Sequence, residues 1–424
     1  MLFSRYNYLF YKDKKYLLYN SLSNSFAEID KETYDLLSSN SDISILKKDA
    51  ELYDVLKKMK VVVEDDDVEL RKIEYHVKSR RFNHKNMSLT INPTLDCNFA
   101  CPYCFEKNHP AEYMSDEIEN MIFDFVKKNN EVKNLNVTWF GGEPLLGYKR
   151  IKSLTKKFLE LPLNYNAGMI TNGYLLSKSI VENLSELKIK NIQITLDGLA
   201  DRHDKRRCLK NGGKTFDKIV ANIDLINKLS PQTHVNIRFN VDKTNEEEFI
   251  KVYNFIRDKH YRNVSINPAF VDDINDKSNN PCVCSSPEKA VFIKNLITKY
   301  GIEYAFLYPH NIRHECMVRN PLAIVIGPCG ELYKCWNDVG QTDKIYGYID
   351  GRVTNEKVLL DYLLGGDPFD DSDCRKCKLL PVCNGGCPHA RLEAKNKFDS
   401  CCPLFKENME SFLSLHYQKK LHKK

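Results

Sequence analysis

The chain has 424 residues, 42% hydrophobic and 28% charged, enough for two or three globular domains. Its net charge is a modest +6, and its basic residues are dispersed apart from Lys419, Lys420, Lys423 and Lys424 at the tail, a pattern of a solvated terminal helix that argues against nucleic acid as a partner. The first six residues carry no apolar signal segment and no apolar run approaches membrane-spanning length, so the expectation is a cytoplasmic protein with no membrane partner.

In chain order, β-rich runs at residues 8–10, 16–20 and 25–29 come first, then a helix from residue 31, a second at 45–58 and a strand at 61–64. From Asp65-Asp66-Asp67 to residue 86 the composition is polar and reads as a linker. Residues 1–85 thus form a small α+β domain with its linker, for which a structural cap on the core is one reading.

From 88 to 271 short β-rich runs alternate with amphipathic helices, with strands expected at 89–92, 136–140, 168–171, 192–196, 235–240 and 264–267. Ile118, Ile122 and Phe125 recur at helical spacing behind Ser115 as N-cap. Phe216, Ile219, Val220, Ile223 and Ile226 do the same, as do Phe249, Val252, Tyr253 and Ile256. The fold class is α/β, with a parallel core over 86–310 that has too few strands for a closed eight-stranded barrel. Ligands in such sheets gather at the carboxyl ends of the strands.

Fifteen cysteines in a cytosolic chain point to metal ligation, because that compartment keeps thiols reduced. Cys97, Cys101 and Cys104 follow the first core strand in C-x3-C-x2-C spacing. Three thiolates can hold three irons of a cubane [4Fe-4S] cluster and leave the fourth iron open for another ligand. Zinc is the competing reading, although it prefers paired cysteines with a distant second pair. Cys208, Cys282 and Cys284 read as free thiols.

After the second strand, Gly141-Gly142-Glu143-Pro144 offers close backbone approach and a carboxylate suited to an ammonium. Thr171-Asn172-Gly173 follows the third strand. Thr195-Leu196-Asp197-Gly198 closes the fourth and leads into His203-Asp204-Lys205-Arg206-Arg207 and Gly212-Gly213-Lys214-Thr215-Phe216. Arg207 presents a planar donor fork for a carboxylate, with a solvated basic loop as the alternative, and His203 reads as structural. Further on, Cys316-x13-Gly330-x4-Cys335, Cys374-x2-Cys377-x5-Cys383-x3-Cys387 and Cys401-Cys402 mark a metal-rich module over 311–424, for part of which a zinc ribbon is the alternative.

The triplet with Tyr103 before its third cysteine, the Gly-Gly-Glu turn one βα unit later and the motifs around Asp197, Arg207 and Thr215 together resemble the radical S-adenosylmethionine enzymes. Among these the order is similar to that of enzymes that modify peptides and proteins, including anaerobic sulfatase-maturating enzymes, and the C-terminal spacing resembles their seven-cysteine SPASM pattern. The resemblance implies an open six-unit (β/α) partial TIM barrel, a winged-helix-like N-terminal domain that recognises the substrate by binding a peptide as an added strand on an exposed edge, and a C-terminal cluster domain. It implies that Cys97, Cys101 and Cys104 bind a [4Fe-4S] cluster whose open iron chelates S-adenosylmethionine, with Tyr103, Gly141, Gly142, Glu143, Thr195 and Arg207 contacting that cofactor. Cys316, Cys335 and Cys387 would hold a first auxiliary [4Fe-4S] cluster, with Cys329, a substrate thiol or nothing as its fourth ligand. Cys374, Cys377, Cys383 and Cys402, or Cys401 in place of Cys402, would hold a second.

The activity so implied is reductive cleavage of S-adenosylmethionine to a 5′-deoxyadenosyl radical that takes hydrogen from a ribosomally made precursor peptide or a protein, with a reductant such as flavodoxin or ferredoxin. One outcome is a thioether or carbon–carbon crosslink or an oxidised side chain. Another is formylglycine formation, for which an Asp directly after the Gly-x4-Cys cysteine resembles a general base. Here Trp336 holds that position, and Asp338 is the nearby substitute. A multicluster electron carrier or peptide-binding partner is the non-enzyme alternative, disfavoured because a carrier needs neither the open triplet nor Gly-Gly-Glu.

Overall fold

The computed structural model describes all residues except 40–43, 45–47, 105–109, 272–283, 303–314, 394–401 and 423–424, and the side chains of 419–422. The chain forms two compact units: Met1–Phe82 with Ser286–Asn320 and Leu364–Lys424, and Asn83–Ser285 with Pro321–Leu363. Among the described residues no helix is long and apolar enough to cross a membrane.

The first unit opens with β1 (Leu2–Phe3), β2 (Asn7–Lys12), β3 (Lys15–Asn20) and β4 (Ser25–Ile29), followed by α1 (Lys31–Ser38), α2 (Ala50–Lys58) and β5 (Val62–Val63). Strands β2, β3 and β4 make an antiparallel sheet whose alternation sorts side chains between two cores. Leu18 packs with Leu37, Leu56, Val61 and Val62. Phe10, Leu17 and Tyr19 pack instead on Leu379, Val382, Met409 and Leu413 from the C-terminal stretch of the same unit.

Where a polar linker is expected after Asp65, the chain forms the 16-residue helix α3 (Asp66–Arg81). The Asp65 carboxylate accepts from the amides of Asp67 at 2.6 Å and Val68 at 3.1 Å, acidic residues fill the first turn, and Lys78, Arg80 and Arg81 fill the last. Cap and dipole thus favour the helix at both ends. Its apolar stripe is narrow, with Leu70 and Val77 packing on Phe369 and Leu380, and this narrowness is why composition alone hides it.

The second unit is built on β6 (Asn86–Ile91), α4 (Asp116–Lys128), β7 (Asn134–Trp139), α5 (Tyr148–Leu159), β8 (Asn164–Thr171), α6 (Lys178–Glu182), β9 (Ile189–Thr195), α7 (Ala200–Arg206), α8 (Phe216–Leu229), β10 (His234–Val241), α9 (Glu246–Asp258) and β11 (Val264–Phe270). The six strands are parallel and lie in sequence order, as the strand and helix rhythm predicts. Helix α10 (Ser286–Thr298) belongs to the first unit.

A seventh parallel strand, β12 (Ala323–Ile326), then adds beside β6 with Val325 opposite Thr90, and β13 (Glu331–Tyr333) and β14 (Gly347–Tyr348) extend the sheet antiparallel to nine strands. Helix α11 (Glu356–Leu363) ends this unit, and α12 (Ser372–Lys376), α13 (Leu380–Cys383), α14 (Pro388–Glu393) and α15 (Phe405–His422) lie in the first.

A buried ionic knot ties the three stretches of the first unit together. The Arg81 guanidinium donates through Nε and a terminal nitrogen to both oxygens of Glu315, each at 2.6 Å, and to Asp367 at 2.7 Å. Arg81→Met leaves both carboxylates without this shared cation, so it is expected to lower the unfolding free energy by about 3–5 kcal/mol. The exposed Lys15–Glu28 pair gives a contrast, with about 0.2–1 kcal/mol lost in Lys15→Met. Urea denaturation followed by circular dichroism under anaerobic conditions measures both. Burial raises the Asp367 pKa, but the Phe369 amide and Arg81 outweigh it and hold the carboxyl below its ordinary value. A depressed carboxylate stabilises fully above its unfolded pKa of about 4 and loses that contribution as pH falls further, so the difference between wild type and Arg81→Met is expected to shrink below that point.

Candidate active site

The carboxyl ends of the parallel strands open on a cavity of about 390 Å³ lined by Cys97, Cys101 and Cys104 together with residues that follow four different strands. The cysteine loop is held from both sides. The Cys97 amide donates to the Asp96 carboxylate at 2.8 Å, and the same carboxylate accepts from Lys210 and from the Tyr113 hydroxyl, each at 2.8 Å. On the opposite edge the Ala100 amide donates to the Cys208 carbonyl at 2.9 Å and the Lys210 amide to the Asn98 carbonyl at 3.0 Å, so residues 208–210 act as a short added strand. Burial pushes the Cys97 thiol up to about 12, and the charges of Glu143, Cys101 and Cys104 add to the shift.

Gly141 and Gly142 form the wall after β7. Gly141 sits at a φ of +107°, and a Cβ on it would lie 2.3 Å from the Thr94 carbonyl oxygen. A Cβ on Gly142 would meet the carbonyl oxygens of Leu95 at 2.3 Å and Asp96 at 2.4 Å. Only glycine allows the two loops to approach this closely. The cradle fits a bulky thiolate-held group capped by a backbone-bound ligand.

Glu143 has a different position from its neighbours. Its side chain is fully buried and does not line the cavity. Its carboxylate accepts from the Thr171 hydroxyl at 2.7 Å and the amides of Asn172 at 2.8 Å and Leu145 at 3.0 Å, while its own amide donates to the Asp96 carbonyl at 2.9 Å. The carboxylate expected to meet an ammonium is thus engaged as a brace between the ends of β7 and β8 and the cysteine loop. Burial raises its pKa, against these three donors.

Tyr103, Thr195 and Arg207 do line the cavity. The Tyr103 hydroxyl hydrogen-bonds to the Asp197 carboxylate and accepts from Arg207 at 2.7 Å, and the Arg206 guanidinium lies 5.0 Å from the Tyr103 ring centre. Arg207 is oriented by its own motif. Asp204 caps α8 by accepting from the amides of Thr215 and Phe216, each at 2.9 Å, and the Thr215 hydroxyl donates to the Arg207 carbonyl at 2.6 Å. His203 is wholly buried, accepts at Nδ1 from the Asp197 amide at 3.3 Å and stacks edge-on against Phe216. Burial and then Arg207 depress its pKa well below the ordinary value, so the ring is neutral and structural.

Sequence reasoning did not find Gln193, Arg238 and Asn240, which also line the cavity. A signal was present: along β10, Asn236, Arg238 and Asn240 alternate with buried Val235, Ile237 and Phe239, and such alternation puts polar groups on one face. Arg238 donates to Asn240 at 2.8 Å, and Asn240 donates to the Tyr103 hydroxyl at 3.4 Å. Near the hairpin of β12 and β13, Trp336 and Asn337 line the cavity, whereas Asp338 is buried and accepts from the Tyr362 hydroxyl at 2.6 Å. Cys329 sits on the hairpin turn with its amide 2.9 Å from Glu331, in a group with Glu112 and Glu331 whose ligand atoms lie within 4.8 Å of one another.

The cysteines of the C-terminal pattern divide between the units: Cys329 and Cys335 belong to the second, and Cys316, Cys374, Cys377, Cys383, Cys387 and Cys402 to the first. Within the first unit, burial raises the Cys316 pKa, and the charge of nearby Cys387 adds to it. Burial pushes the Cys383 thiol up to about 12, with the charges of Cys402, Cys374 and Cys377 contributing. Cys383 is thus near enough to the other three to feel their charge, a grouping that suits a cluster. Cys401 and Cys282 lie outside the described residues.

Residues 91–256 match the Radical SAM superfamily. A cysteine-type anaerobic sulfatase-maturating enzyme of Clostridium novyi is 25% identical over 72% of this chain and 88% of its own length. In fold, the chain is similar to native anSMEcpe with bound AdoMet and Cp18Cys peptide, with a TM-score of 0.62, 20% identity and coverage of 80% of this chain and 98% of that one. It is also similar to Streptococcus suis SuiB bound to precursor peptide SuiA, with a TM-score of 0.53, 17% identity and coverage of 95% and 99%. Enzymes of this superfamily use S-adenosylmethionine and a [4Fe-4S] cluster. The chain is an enzyme whose residues 91–256 match the Radical SAM superfamily.

Proposed function

We propose that this enzyme is a maturase that modifies a peptide or protein substrate. In this reading Cys97, Cys101 and Cys104 hold the cluster, and Gly141, Gly142, Thr195, Arg207 and Tyr103 form the S-adenosylmethionine site. The observation that carries it is a single cavity that takes in the three cysteines and these contact residues, with carbonyl oxygens 2.3 Å from where a Cβ on Gly141 or Gly142 would be. Bound there, the cofactor pair supplies a 5′-deoxyadenosyl radical, while the chain's own residues orient it and exclude water. Arg207 offers its fork to the methionine carboxylate, and the loop backbone at Gly141 and Gly142 takes the amino group.

The peptide substrate is supported by two structures of similar fold, one holding the Cp18Cys peptide and one a precursor peptide. Phe140 and Trp336, with ring centres 5.9 Å apart, give the cavity an aromatic wall suited to a side chain. Crosslink formation or side-chain oxidation is the outcome we favour. Formylglycine formation is the second reading, favoured by the sulfatase-maturating relative, while Trp336 directly after Cys335 and the engagement of Asp338 with Tyr362 weigh against it.

Auxiliary clusters at the cysteines of the C-terminal sequence pattern, Cys316/Cys335/Cys387 and Cys374/Cys377/Cys383/Cys402, complete the proposal, as do a flavodoxin or ferredoxin reductant and a cytoplasmic location. After anaerobic reconstitution, about twelve irons per chain are expected, four for each of three clusters, and about four would remove both auxiliary sites. With dithionite and S-adenosylmethionine the enzyme is expected to yield 5′-deoxyadenosine by chromatography, and a wild-type preparation with its cluster that yields none rules the reading out. Gly142→Ala pushes the cysteine loop off the turn, and an ångström of misplacement is expected to slow 5′-deoxyadenosine formation about 100-fold or more. Incubation with short Cys- and Ser-containing sulfatase peptides separates the two outcomes, since only a sulfatase maturase gives the aldehyde, read by mass spectrometry.

A further inference from the structure

The cysteine module of the first unit carries an asymmetry in what its sulfurs accept. Cys377 Sγ accepts from the Leu379 amide at 3.4 Å, a neutral donor. Cys374 Sγ instead accepts from the Arg391 guanidinium at 3.5 Å, and Cys402 Sγ from the Lys406 ammonium at 3.1 Å. The two cations differ in surroundings. Arg391 is 6% exposed and clamped, with its Nε donating to the Gly366 carbonyl at 2.8 Å and a terminal nitrogen to Asp371 at 2.8 Å. The Asp371 carboxylate in turn caps α12 through the amides of Asp373 and Cys374. Lys406 lies on the exposed side of α15.

We propose that Arg391 and Lys406 set the reduction potential of the auxiliary [4Fe-4S] cluster held by Cys374, Cys377, Cys383 and Cys402, raising it above that of a cluster with neutral donors alone. This rests on the ligand assignment given above. Reduction adds a negative charge to the cluster, and a charge-assisted N–H···S bond stabilises the more negative state more than the less negative one. The buried guanidinium acts in a low dielectric and has the larger effect, although Asp371 offsets part of its charge. The exposed ammonium is screened by water and salt. Arg391 also positions Cys374 through Asp371, so a merely structural role must be separated from an electrostatic one.

Redox titration of the reconstituted full-length enzyme, followed by electron paramagnetic resonance, does so. The signal of this cluster is the one lost or altered in Cys402→Ser. At the potential where the wild-type cluster is half reduced, the reduced-to-oxidised ratio is expected to fall about threefold in Lys406→Gln. In Arg391→Gln it is expected to fall about tenfold, equivalent to 59 mV for one electron. Arg391→Lys, which keeps the charge and loses the fork, recovers most of that shift. An unmoved midpoint in Lys406→Gln and in an Arg391→Gln variant that retains its iron overturns the inference while leaving the ligand assignment intact. Lys406→Gln alone decides the matter if Arg391→Gln does not fold. Iron content and spectra unchanged in Cys402→Ser overturn the ligand assignment itself.

Discussion

The second unit depends on one close contact, where the Gly141-Gly142-Glu143 turn presses against the cysteine loop. The turn delivers the Glu143 amide to the Asp96 carbonyl and buries the Glu143 carboxylate among three donors from its own turn and from the end of β8. A buried carboxylate without such donors would cost several kcal/mol, so once Glu143 is inside, the ends of β7 and β8 and the cysteine loop must sit where those hydrogen bonds can form. The glycines make this possible by removing the side chains that would collide with the Thr94, Leu95 and Asp96 carbonyls. A flat sheet end thereby becomes a fixed pocket floor.

Around that floor the polar residues divide into those that face the cavity and those that hold them. Arg207 faces it, and Asp204 and Thr215 fix its backbone by capping α8 and bonding its carbonyl. Tyr103 faces it, and Asp197, Arg206 and Asn240 hold its hydroxyl and ring. Asp197 in turn accepts from the Asn240 amide at 3.2 Å, which ties the loop after β9 to β10. A side chain braced this way loses little conformational freedom when a ligand arrives, which is how binding energy is conserved for orientation.

This division explains what could be read before the structure. The cysteine triplet is legible because Cys97, Cys101 and Cys104 lie close together on one loop after a strand, and the six parallel strands because apolar runs alternate with amphipathic helices. The role of Glu143 is not legible, since a carboxylate suits an ammonium and a cluster of backbone amides equally well. Strand β12 is hidden for another reason. Ala323-Ile324-Val325-Ile326 reads as a buried strand, but its partner β6 lies more than two hundred residues earlier, and parallel pairing leaves no local mark. Helix α3 is the converse case: its caps and charge order were visible in Asp65 to Glu69 and Lys78 to Arg81, and the scarcity of apolar residues outweighed them. Along β10 the alternation of Asn236, Arg238 and Asn240 was visible too, and it distinguishes a cavity-facing strand from one covered by helices on both faces.

The first unit faces a different physical problem, because short helices such as α12 and α13 cannot bury a large core. Two guanidiniums take over part of that task. Arg81 joins α3 to the segments of Glu315 and Asp367, and Arg391 joins Gly366, Asp371 and Cys374. Each is a planar fork that satisfies several acceptors at once, which a lysine at the same place could not do. Such a frame orders the loops bearing Cys316 and Cys374 through contacts that need no metal. It differs in kind from a zinc finger, where ligand binding itself supplies the folding energy. For the auxiliary cluster we propose, a scaffold ordered in advance would place its thiols before iron arrives, so less of the ligation free energy would be consumed in fixing the chain, and the buried cation beside Cys374 would also lower the electrostatic cost of gathering several thiolates in one place.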